Sequence, residues 1–288
     1  MYTNFFQALL TALGYHVVLY VDDTNVIITG ETISQLKLAA EKLLELFTEV
    51  YSSINLEINW KKTMFMIFHP DKDSFDKISV NNNVICAVRN VNFLGIIIDD
   101  QLTWRPNIVN VVAKLNKGIF VLSQTNQILH EKQNMAVYNA FINSALCYGT
   151  YIWAYDLNNK IYLGDLFKLQ KKALRILLHG SPKAVSCRGE FRKSNLLTLT
   201  SIFILQASLY ARKTLETNQE LHHYNTRSKN QIHRVNCTAS APNSYAALIY
   251  NKIPAELRKC QGDAFKKELK KWLIEKEFYS LDGFNTSN

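Results

Sequence analysis

Hydrophobic and polar positions divide the chain into a front with strand-like patterns and a rear with helical periodicity. Before residue 105, short apolar runs rich in β-branched residues alternate with polar turns, which is typical of strands. From residue 105 onward, apolar residues recur every three or four positions, which indicates helices packed along one face. The pattern predicts an α+β fold whose front carries β-hairpins and a packed helix and whose remainder is mostly α-helical. It also predicts three domains, at residues 1–104, 105–183 and 184–288.

The first predicted hairpin carries two adjacent carboxylates. Apolar runs at residues 16–19 and 25–29 flank a turn that contains Asp22 and Asp23. A tight turn can offer both carboxylates near one place, and oxygen ligands of this kind suit Mg²⁺. A solvated Asp-Asp turn explains the same residues equally well, so both interpretations stay open on this motif alone.

Local signals predict the elements that follow this hairpin. Thr32 and Gln35 have the spacing of a capping box, and apolar residues from Ile33 to Ile54 then follow at helical intervals. Further expected elements are a strand at Met64–Phe68, a hairpin around Asn81 and Asn82, another hairpin around Gly95, and turn roles for Asp99 and Asp100.

The rear of the chain predicts amphipathic helices with basic positions. Their apolar positions run from Ile108 to Leu122, Met135 to Leu146, Leu163 to Leu177, Ile202 to Lys213 and Phe265 to Leu273. On the third helix, cations at intervals of i, i+3, i+4 and i+7 form one stripe: Lys168, Lys171, Lys172 and Arg175. Phosphate contact and a solvated helix face explain this stripe equally well. Arg227 and Lys229, in a polar segment, suit a nucleic-acid backbone.

Composition narrows the class of partner. The 288 residues carry a formal net charge of +9, which favours an anionic partner, nucleic acid first. The five cysteines are scattered without C-x-x-C spacing, so neither a zinc knuckle nor a disulfide framework is expected, and a reducing compartment fits. His222 and His223 have no ligand partner at metal-site spacing. No apolar run approaches a membrane span, so we expect neither a membrane partner nor a secretory route.

Three motifs, in order, resemble those of reverse transcriptases. Tyr20-Val21-Asp22-Asp23 resembles the Y-x-D-D box, and residues 59–63 resemble the N-x-x-K-T segment that follows it. Phe93-Leu94-Gly95 resembles the F-L-G hairpin of the jockey kind of non-LTR (LINE-type) retrotransposon polymerase. Residues 146–153 resemble the L-x-Y-G-x-x-x-W segment of the same elements, and residues 224–229 their Y-N-T-R-x-K/R string. The resemblance covers nearly the whole chain.

The resemblance implies an RNA-directed DNA polymerase and a role for each motif. The three predicted domains would be the end of the palm, a helical thumb and a basic C-terminal domain. Partners would be an RNA template, a DNA primer and a dNTP, with two Mg²⁺ ions promoting attack by the primer 3′-OH. An intracellular location, in cytoplasm and nucleus, follows from the same family; the oligomeric state is not indicated. The implied residue roles are metal binding and catalysis by Asp22 and Asp23, a positive charge facing the triphosphate from Lys62, the lining of the primer terminus by Tyr20 and Val21, and primer support by Phe93, Leu94 and Gly95.

The same resemblance predicts that the isolated chain is inactive. A two-metal polymerase site takes carboxylates from two separate strands, yet residues 1–21 contain no Asp or Glu. The fingers and the upstream catalytic strand of the family have no counterpart in this sequence, so we expect a truncated enzyme. Two alternatives stay open: a nucleic-acid-binding relic module, and a decayed element fragment without activity.

Overall fold

Internal contacts divide the chain into two compact units, Met1–Val91 and Asn92–Asn288. The computed structural model describes residues 8–21, 23–68, 76–154, 160–179, 186–221, 228–234 and 241–286. Each unit has its own apolar core, so each is considered separately. The three-domain division at 104/105 and 183/184 stays a prediction.

The first unit begins with the predicted hairpin and helix. Strand β1 (His16–Tyr20) pairs antiparallel with β2 (Asp23–Ile27), with Tyr20 opposite Asp23. Helix α1 (Ile33–Ser53) starts at Thr32, whose Oγ1 accepts the Gln35 N–H at 3.3 Å while Gln35 Oε1 accepts the Thr32 N–H at 3.3 Å. The predicted capping box is therefore confirmed, and it satisfies two backbone donors that a helix start leaves without partners.

Helix α1 contributes to two small apolar groups. Leu43 is buried with Leu10, beside partly exposed side chains of β1, β2 and α1 such as Val17, Val26 and Phe47. Ile33 and Leu44 instead pack with Ile67, Ile78 and Val80. The predicted apolar stripe is thus shared between two clusters, and only Leu43 of α1 is fully buried.

Two short hairpins complete the strands, and both have the two-residue turns that the sequence predicted. Strands β3 (Lys77–Val80) and β4 (Asn83–Cys86) are joined by Asn81 and Asn82, with φ of 49° and 64°. Strands β5 (Asn90–Phe93) and β6 (Ile96–Asp99) are joined by Leu94 and Gly95, with φ of 47° and 82°. Two consecutive positive φ angles are the signature of the type I′ turn, whose twist matches that of the paired strands.

The predicted strand at Met64–Phe68 is wrong. This segment forms a single parallel bridge, between Phe65 and Ala87, with the Val88 N–H donating to the Phe65 carbonyl at 2.9 Å. A single bridge does not make a strand, so this segment lies beside the residue that follows β4 without forming a ladder with it.

The second unit is helical, as predicted. Its helices are α2 (Arg105–Thr125), α3 (Glu131–Tyr138), α4 (Ser144–Cys147), α5 (Thr150–Trp153), α6 (Lys160–His179), α7 (Glu190–Lys193), α8 (Leu199–Thr214), α9 (Asn218–Leu221), α10 (Pro242–Asn251), α11 (Ala255–Arg258), α12 (Gly262–Lys276) and α13 (Leu281–Asn285). A π-helical segment, Asn139–Asn143, joins α3 directly to α4. The predicted α+β class, with hairpins and a packed helix in front of a mostly helical remainder, is confirmed.

One continuous core holds the helical unit together, and it extends from Ile108 on α2 to Phe284 on α13. Helix α8 is buried on most of its positions. The buried Gln170 of α6 fixes the start of α8. Gln170 Nε2 donates to the Leu197 carbonyl at 2.9 Å, and Gln170 Oε1 accepts the Leu199 N–H at 2.8 Å. Across the described ranges, no helix combines the length and apolar character needed to cross a membrane.

Candidate nucleic-acid interface

The end of the first hairpin presents exposed side chains. Asp23 is exposed at the first position of β2, opposite Tyr20, which is also exposed. Val21 between them has a φ of 54° and is 78% exposed. A positive φ is a strained conformation for a β-branched residue, and strain of this kind is found most often at functional sites. Asp22, the principal predicted metal ligand, lies outside the described residues.

The described residues do not by themselves fit a two-metal centre. Within the described ranges, no group of three or more His, Cys, Asp or Glu side chains is placed to hold a metal ion. Asp23 is the one carboxylate of the predicted pair that the structure describes. Mg²⁺ takes six oxygen ligands in near-octahedral geometry, so a single exposed carboxylate would leave most of them to water or substrate phosphates.

The N-x-x-K-T segment folds into a closed turn that leaves its lysine in solvent. Asn59 accepts the Lys62 N–H through its backbone carbonyl at 2.9 Å, and the same carbonyl accepts the Thr63 hydroxyl at 3.0 Å. The Asn59 side-chain oxygen also lies 3.3 Å from the Lys62 nitrogen. Asn59 and Thr63 therefore shape the turn, while the Lys62 side chain is exposed and available to an anionic ligand.

The F-L-G turn is held by a tyrosine more than fifty residues away in sequence. The Tyr148 hydroxyl donates a hydrogen bond to the Leu94 carbonyl. A Cβ atom on Gly95 would lie 3.5 Å from the Tyr148 ring, in a backbone conformation that favours glycine. Phe93 is half-buried in β5, whereas Leu94 and Gly95 are exposed. The turn thus has a fixed position within the helical unit.

A groove of about 440 Å³ lies beside this turn, within the helical unit. One wall comes from a single face of α2, and the other from the π-helical segment and α4. Its lining residues are Gly95, Asn107, Val111, Lys114, Lys117, Ala140, Phe141, Ser144, Ala145 and Tyr148. Gly95 is the one lining residue to which the sequence assigned a ligand contact, and the groove itself was not predicted. The spacing of Asn107, Val111 and Lys114, at i, i+4 and i+7, was the local signal that they share one helix face.

The two aromatic residues of the L-x-Y-G-x-x-x-W segment differ in their exposure. Trp153 is fully buried, and its Nε1 donates to the Tyr148 carbonyl at 3.0 Å. Tyr148 itself is 53% exposed, so its ring can contact a ligand. Burial raises the pKa of the Cys147 thiol, directly before Tyr148, so this thiol is a poor nucleophile.

The predicted basic stripe on α6 is partly engaged by neighbouring side chains. Lys168 Nζ lies 2.8 Å from the Asp165 carboxylate, and Lys171 Nζ lies 4.7 Å from the centre of the Phe167 ring. Lys172 is exposed and Arg175 is half-buried. Exposed ion pairs contribute little, so Lys168 can exchange Asp165 for a phosphate at small cost.

The remaining predicted contacts lie in a separate segment. Lys229 is half-buried, and its carbonyl accepts the Gln219 N–H at 2.9 Å. Arg227 lies outside the described residues.

Comparisons with known proteins agree with the motifs. Residues 1–98 match the family model described as reverse transcriptase (RNA-dependent DNA polymerase). The chain is 26% identical over 168 residues to the RNA-directed DNA polymerase from mobile element jockey of Drosophila melanogaster, an alignment that covers 57% of this chain and 18% of that protein. It is 23% identical over 167 residues to the protein of the same name from Drosophila funebris, with coverage of 57% and 18%. The alignments thus span less than a fifth of each relative. No solved structure matches the chain.

Proposed function

We propose that this chain forms the part of a reverse transcriptase that holds the primer and template. The motifs and the comparisons group it with the reverse transcriptases of jockey-like non-LTR retrotransposons. In this proposal residues 1–104 are the end of the palm, residues 105–183 the thumb and residues 184–288 a basic C-terminal domain. The parent reaction is template-directed addition of deoxynucleotides from dNTP to a primer 3′-OH.

The observation that carries the proposal is that all three family motifs lie at exposed turns. Val21, Lys62 and Leu94 are each exposed at a turn, rather than in the core of either unit. Residues at such turns contribute little to packing, so their pattern fits contacts with a ligand better than it fits a structural role. The net charge of +9 supports an anionic ligand.

The proposed roles follow the motif positions. Asp22 and Asp23 would ligate Mg²⁺, which in this chemistry stabilises the charge that develops on the phosphates. Lys62 offers a positive charge from a solvent-exposed turn to a triphosphate. Tyr20 and Val21 would line the primer terminus, and Phe93, Leu94 and Gly95 would support the primer strand.

A second candidate is a nucleic-acid-binding module without polymerase activity. It is favoured by the net charge of +9 and by the basic positions on α6, which suit backbone contacts without any metal site. Lys168, Lys171, Lys172 and Arg175 on α6, with Arg227 and Lys229, would then supply backbone contacts. Contact with the primer terminus distinguishes the two candidates, because only the reverse-transcriptase part places the F-L-G turn at the primer 3′ end.

The first experiment measures binding and extension with the purified chain, Mg²⁺, dNTP and a primer annealed to an RNA template. We expect salt-dependent binding and no extension, because a single pair of adjacent carboxylates gives Mg²⁺ too few ligands. Extension that is lost in Asp22→Asn would show that the chain completes a metal site by itself. Absence of salt-dependent binding would contradict both candidate functions.

A second experiment tests primer support directly. A photo-crosslinking amino acid at Leu94 should attach to the 3′-terminal nucleotide of the primer. The control is the same amino acid at Val84, an apolar position in β4 that is 60% exposed, against 37% for Leu94, and to which the proposal assigns no primer contact. Equal crosslinking from both positions, or none from Leu94, would contradict primer support by the F-L-G turn.

A further inference from the structure

We infer that the Y-G-x-x-x-W segment, residues 148–153, is a brace that links the F-L-G turn to the C-terminal helices, with Tyr148 and Tyr245 as positioning residues. The contacts that form this brace all lie within the helical unit. The inference rests on the proposed function for what the turn contacts, which is the end of a primer.

The F-L-G turn has a backbone conformation that its first central residue does not favour. Leu94 has a φ of 47°, and a positive φ is uncommon for a bulky apolar residue. At the same position of the turn between β3 and β4 the chain has Asn81, a residue type that tolerates this conformation. An unfavourable conformation of this kind persists only when the surrounding structure imposes it. Contacts from outside the hairpin therefore hold Leu94.

Tyr148 supplies such contacts at the turn itself. Its hydroxyl donates a hydrogen bond to the Leu94 carbonyl. A Cβ atom on Gly95 would lie 3.5 Å from Tyr148 Cε1 and 3.8 Å from the Tyr148 hydroxyl oxygen, so the ring packs against the backbone of the turn. One tyrosine thus contacts both central residues of the F-L-G turn.

The other two residues that define the motif hold Tyr148 in place. Trp153 is fully buried, and its Nε1 donates to the Tyr148 carbonyl at 3.0 Å. Gly149 has a φ of 63°, and a Cβ atom there would lie 2.5 Å from Ile96 Cδ1. Glycine therefore allows the segment to lie directly against β6, while the buried indole fixes the backbone of Tyr148.

The other end of the brace contacts the C-terminal helices. Tyr245 of α10 is 1% exposed, and its hydroxyl donates to the Tyr151 carbonyl, with the Ile152 carbonyl 3.4 Å away. The Tyr151 ring also stacks on Tyr210 of α8, with ring centres 4.7 Å apart. Helices beyond the family match at residues 1–98 thus support a turn that lies inside that match.

The brace should affect where a primer end lies, and not how tightly the chain binds nucleic acid. The Tyr148 and Tyr245 hydroxyls are uncharged, and each already donates to a backbone carbonyl. Affinity for nucleic acid depends mainly on cations, whereas contact at a single atom depends on placement within about 1 Å. Loss of either hydroxyl should therefore change placement at nearly constant affinity.

The first test measures the hydrogen bond to Leu94 by NMR. With ¹³C in leucine carbonyls and ¹⁵N in glycine, triple-resonance spectra select the Leu-Gly pairs of the chain. There are three such pairs, which begin at Leu13, Leu94 and Leu163. Tyr148→Phe removes the hydroxyl and keeps the ring, so it should shift the Leu94 carbonyl resonance and leave the other two unchanged.

Two further variants complete this test. Tyr245→Phe acts through the brace and should shift the Leu94 carbonyl resonance by less than Tyr148→Phe does. Tyr210→Phe is the matched control, because it removes a hydroxyl that donates to Asn243 Oδ1 at 2.6 Å and keeps the ring that stacks on Tyr151. It should leave the Leu94 resonance in place. Circular dichroism melting of each variant confirms that it is folded.

The second test measures placement with the photo-crosslinking amino acid at Leu94, which keeps the carbonyl that Tyr148 contacts. The chain is saturated with a primer annealed to an RNA template. Tyr148→Phe should lower the crosslink yield on the 3′-terminal nucleotide at least about fivefold, and Tyr245→Phe about twofold. Affinity, measured by fluorescence anisotropy, should stay within about twofold in both variants. Tyr210→Phe should change neither quantity.

The outcomes separate the brace from the proposed function. A Leu94 resonance that does not respond to Tyr148→Phe would overturn the brace and leave the proposed function standing. A resonance that responds while the crosslink is unchanged would overturn the positioning role, and so would an equal loss of crosslink in Tyr210→Phe. A crosslink that is absent from the unaltered chain would contradict the proposed function, while the Leu94 resonance would still decide the brace.

Discussion

The two compact units of this chain differ in how their buried apolar side chains are grouped. In Met1–Val91 the described core consists of small groups around Leu43 and Ile78, each surrounded by half-exposed residues. In Asn92–Asn288 a continuous core extends through the helices from α2 to α13. The family model covers the first unit and ends at residue 98. The comparison teaches that the motifs shared with the family are short exposed turns, and that most of the described buried apolar residues lie beyond the part that the family model matches.

Among the substitutions that test this comparison, Trp153→Ala should have the largest effect on stability. The indole is fully buried and donates to the Tyr148 carbonyl, so its loss should lower the free energy of unfolding by about 3–5 kcal/mol. Leu43→Ala in the first unit should cost about 2 kcal/mol, the low end for leucine, because half-exposed neighbours can collapse into the space. Guanidinium denaturation followed by circular dichroism measures both.

Phe120→Ala is the control for that pair, because this ring is 65% exposed on α2 and its loss should change stability by less than about 0.5 kcal/mol. If Leu43→Ala costs as much as Trp153→Ala, the two cores are equally packed and the comparison fails.

A second prediction sets two helical glycines against each other. Gly118→Ala should destabilise the helical unit by about 1–3 kcal/mol, because its new methyl group would overlap Phe141 and Ile142. Gly164→Ala, on α6, meets no atom within 4 Å and should stabilise by about 0.5–1 kcal/mol. Thermal melting of the two variants gives the signs. A neutral Gly118→Ala would show that the α2 contact with the π-helical segment is loose.

A third prediction concerns the turn that starts α2. The buried Asp99 carboxylate accepts the backbone N–H groups of Gln101, Thr103 and Trp104 at 3.2, 2.9 and 2.8 Å. Asp99→Ala leaves these donors without an acceptor and should cost about 1–3 kcal/mol. Amide hydrogen exchange at Thr103 and Trp104 should accelerate. The exposed Asp76→Ala serves as the control, and unchanged exchange in Asp99→Ala would refute this role.

The smallest expected effect concerns alkaline pH. Burial raises the pKa of Tyr138 above its ordinary value of 10.0, so the unfolded chain loses this proton first as the pH rises. The stability that depends on it is complete below about pH 10 and is lost above it. Tyr138→Phe should change stability by less than about 1.5 kcal/mol at pH 7 and should reduce the loss measured above pH 10. An identical alkaline profile in this variant would contradict the assignment to Tyr138.

Local chemistry explains what the sequence could predict. The Thr32 and Gln35 capping box, the Asn81-Asn82 turn and the helix stripes each depend on residues within a few positions of one another. Asp99 was correctly interpreted as turn chemistry for the same reason. These rules hold because caps and turns satisfy backbone groups locally, whatever the rest of the chain does.

Non-local geometry explains what the sequence could not predict. Met64–Phe68 has the composition of a strand, but sheet formation depends on how a partner approaches in the folded chain, and here Phe65 alone forms a bridge, to Ala87. The groove depends on a contact between Gly95 and Tyr148, which are more than fifty residues apart in sequence. No periodicity in the sequence predicts that contact. The role of Asp22, the principal predicted metal ligand, stays a prediction, because this residue lies outside the described residues.

The π-helical turn at Asn139–Asn143 has a consequence for how insertions and deletions act on this protein. A π-helical turn holds one residue more than an α-helical turn, and each residue of an α-helix turns the following chain by about 100°. Four α-helical residues span about the same rotation as the five π-helical ones, so deletion of Ala140 would restore a regular helix and leave Ser144 to Tyr148 on nearly the same face. The hydroxyl that reaches Leu94 would keep its side of the helix. Deletion of one residue from the regular helix α3 would instead rotate the following chain by about 100° and carry that hydroxyl away from Leu94.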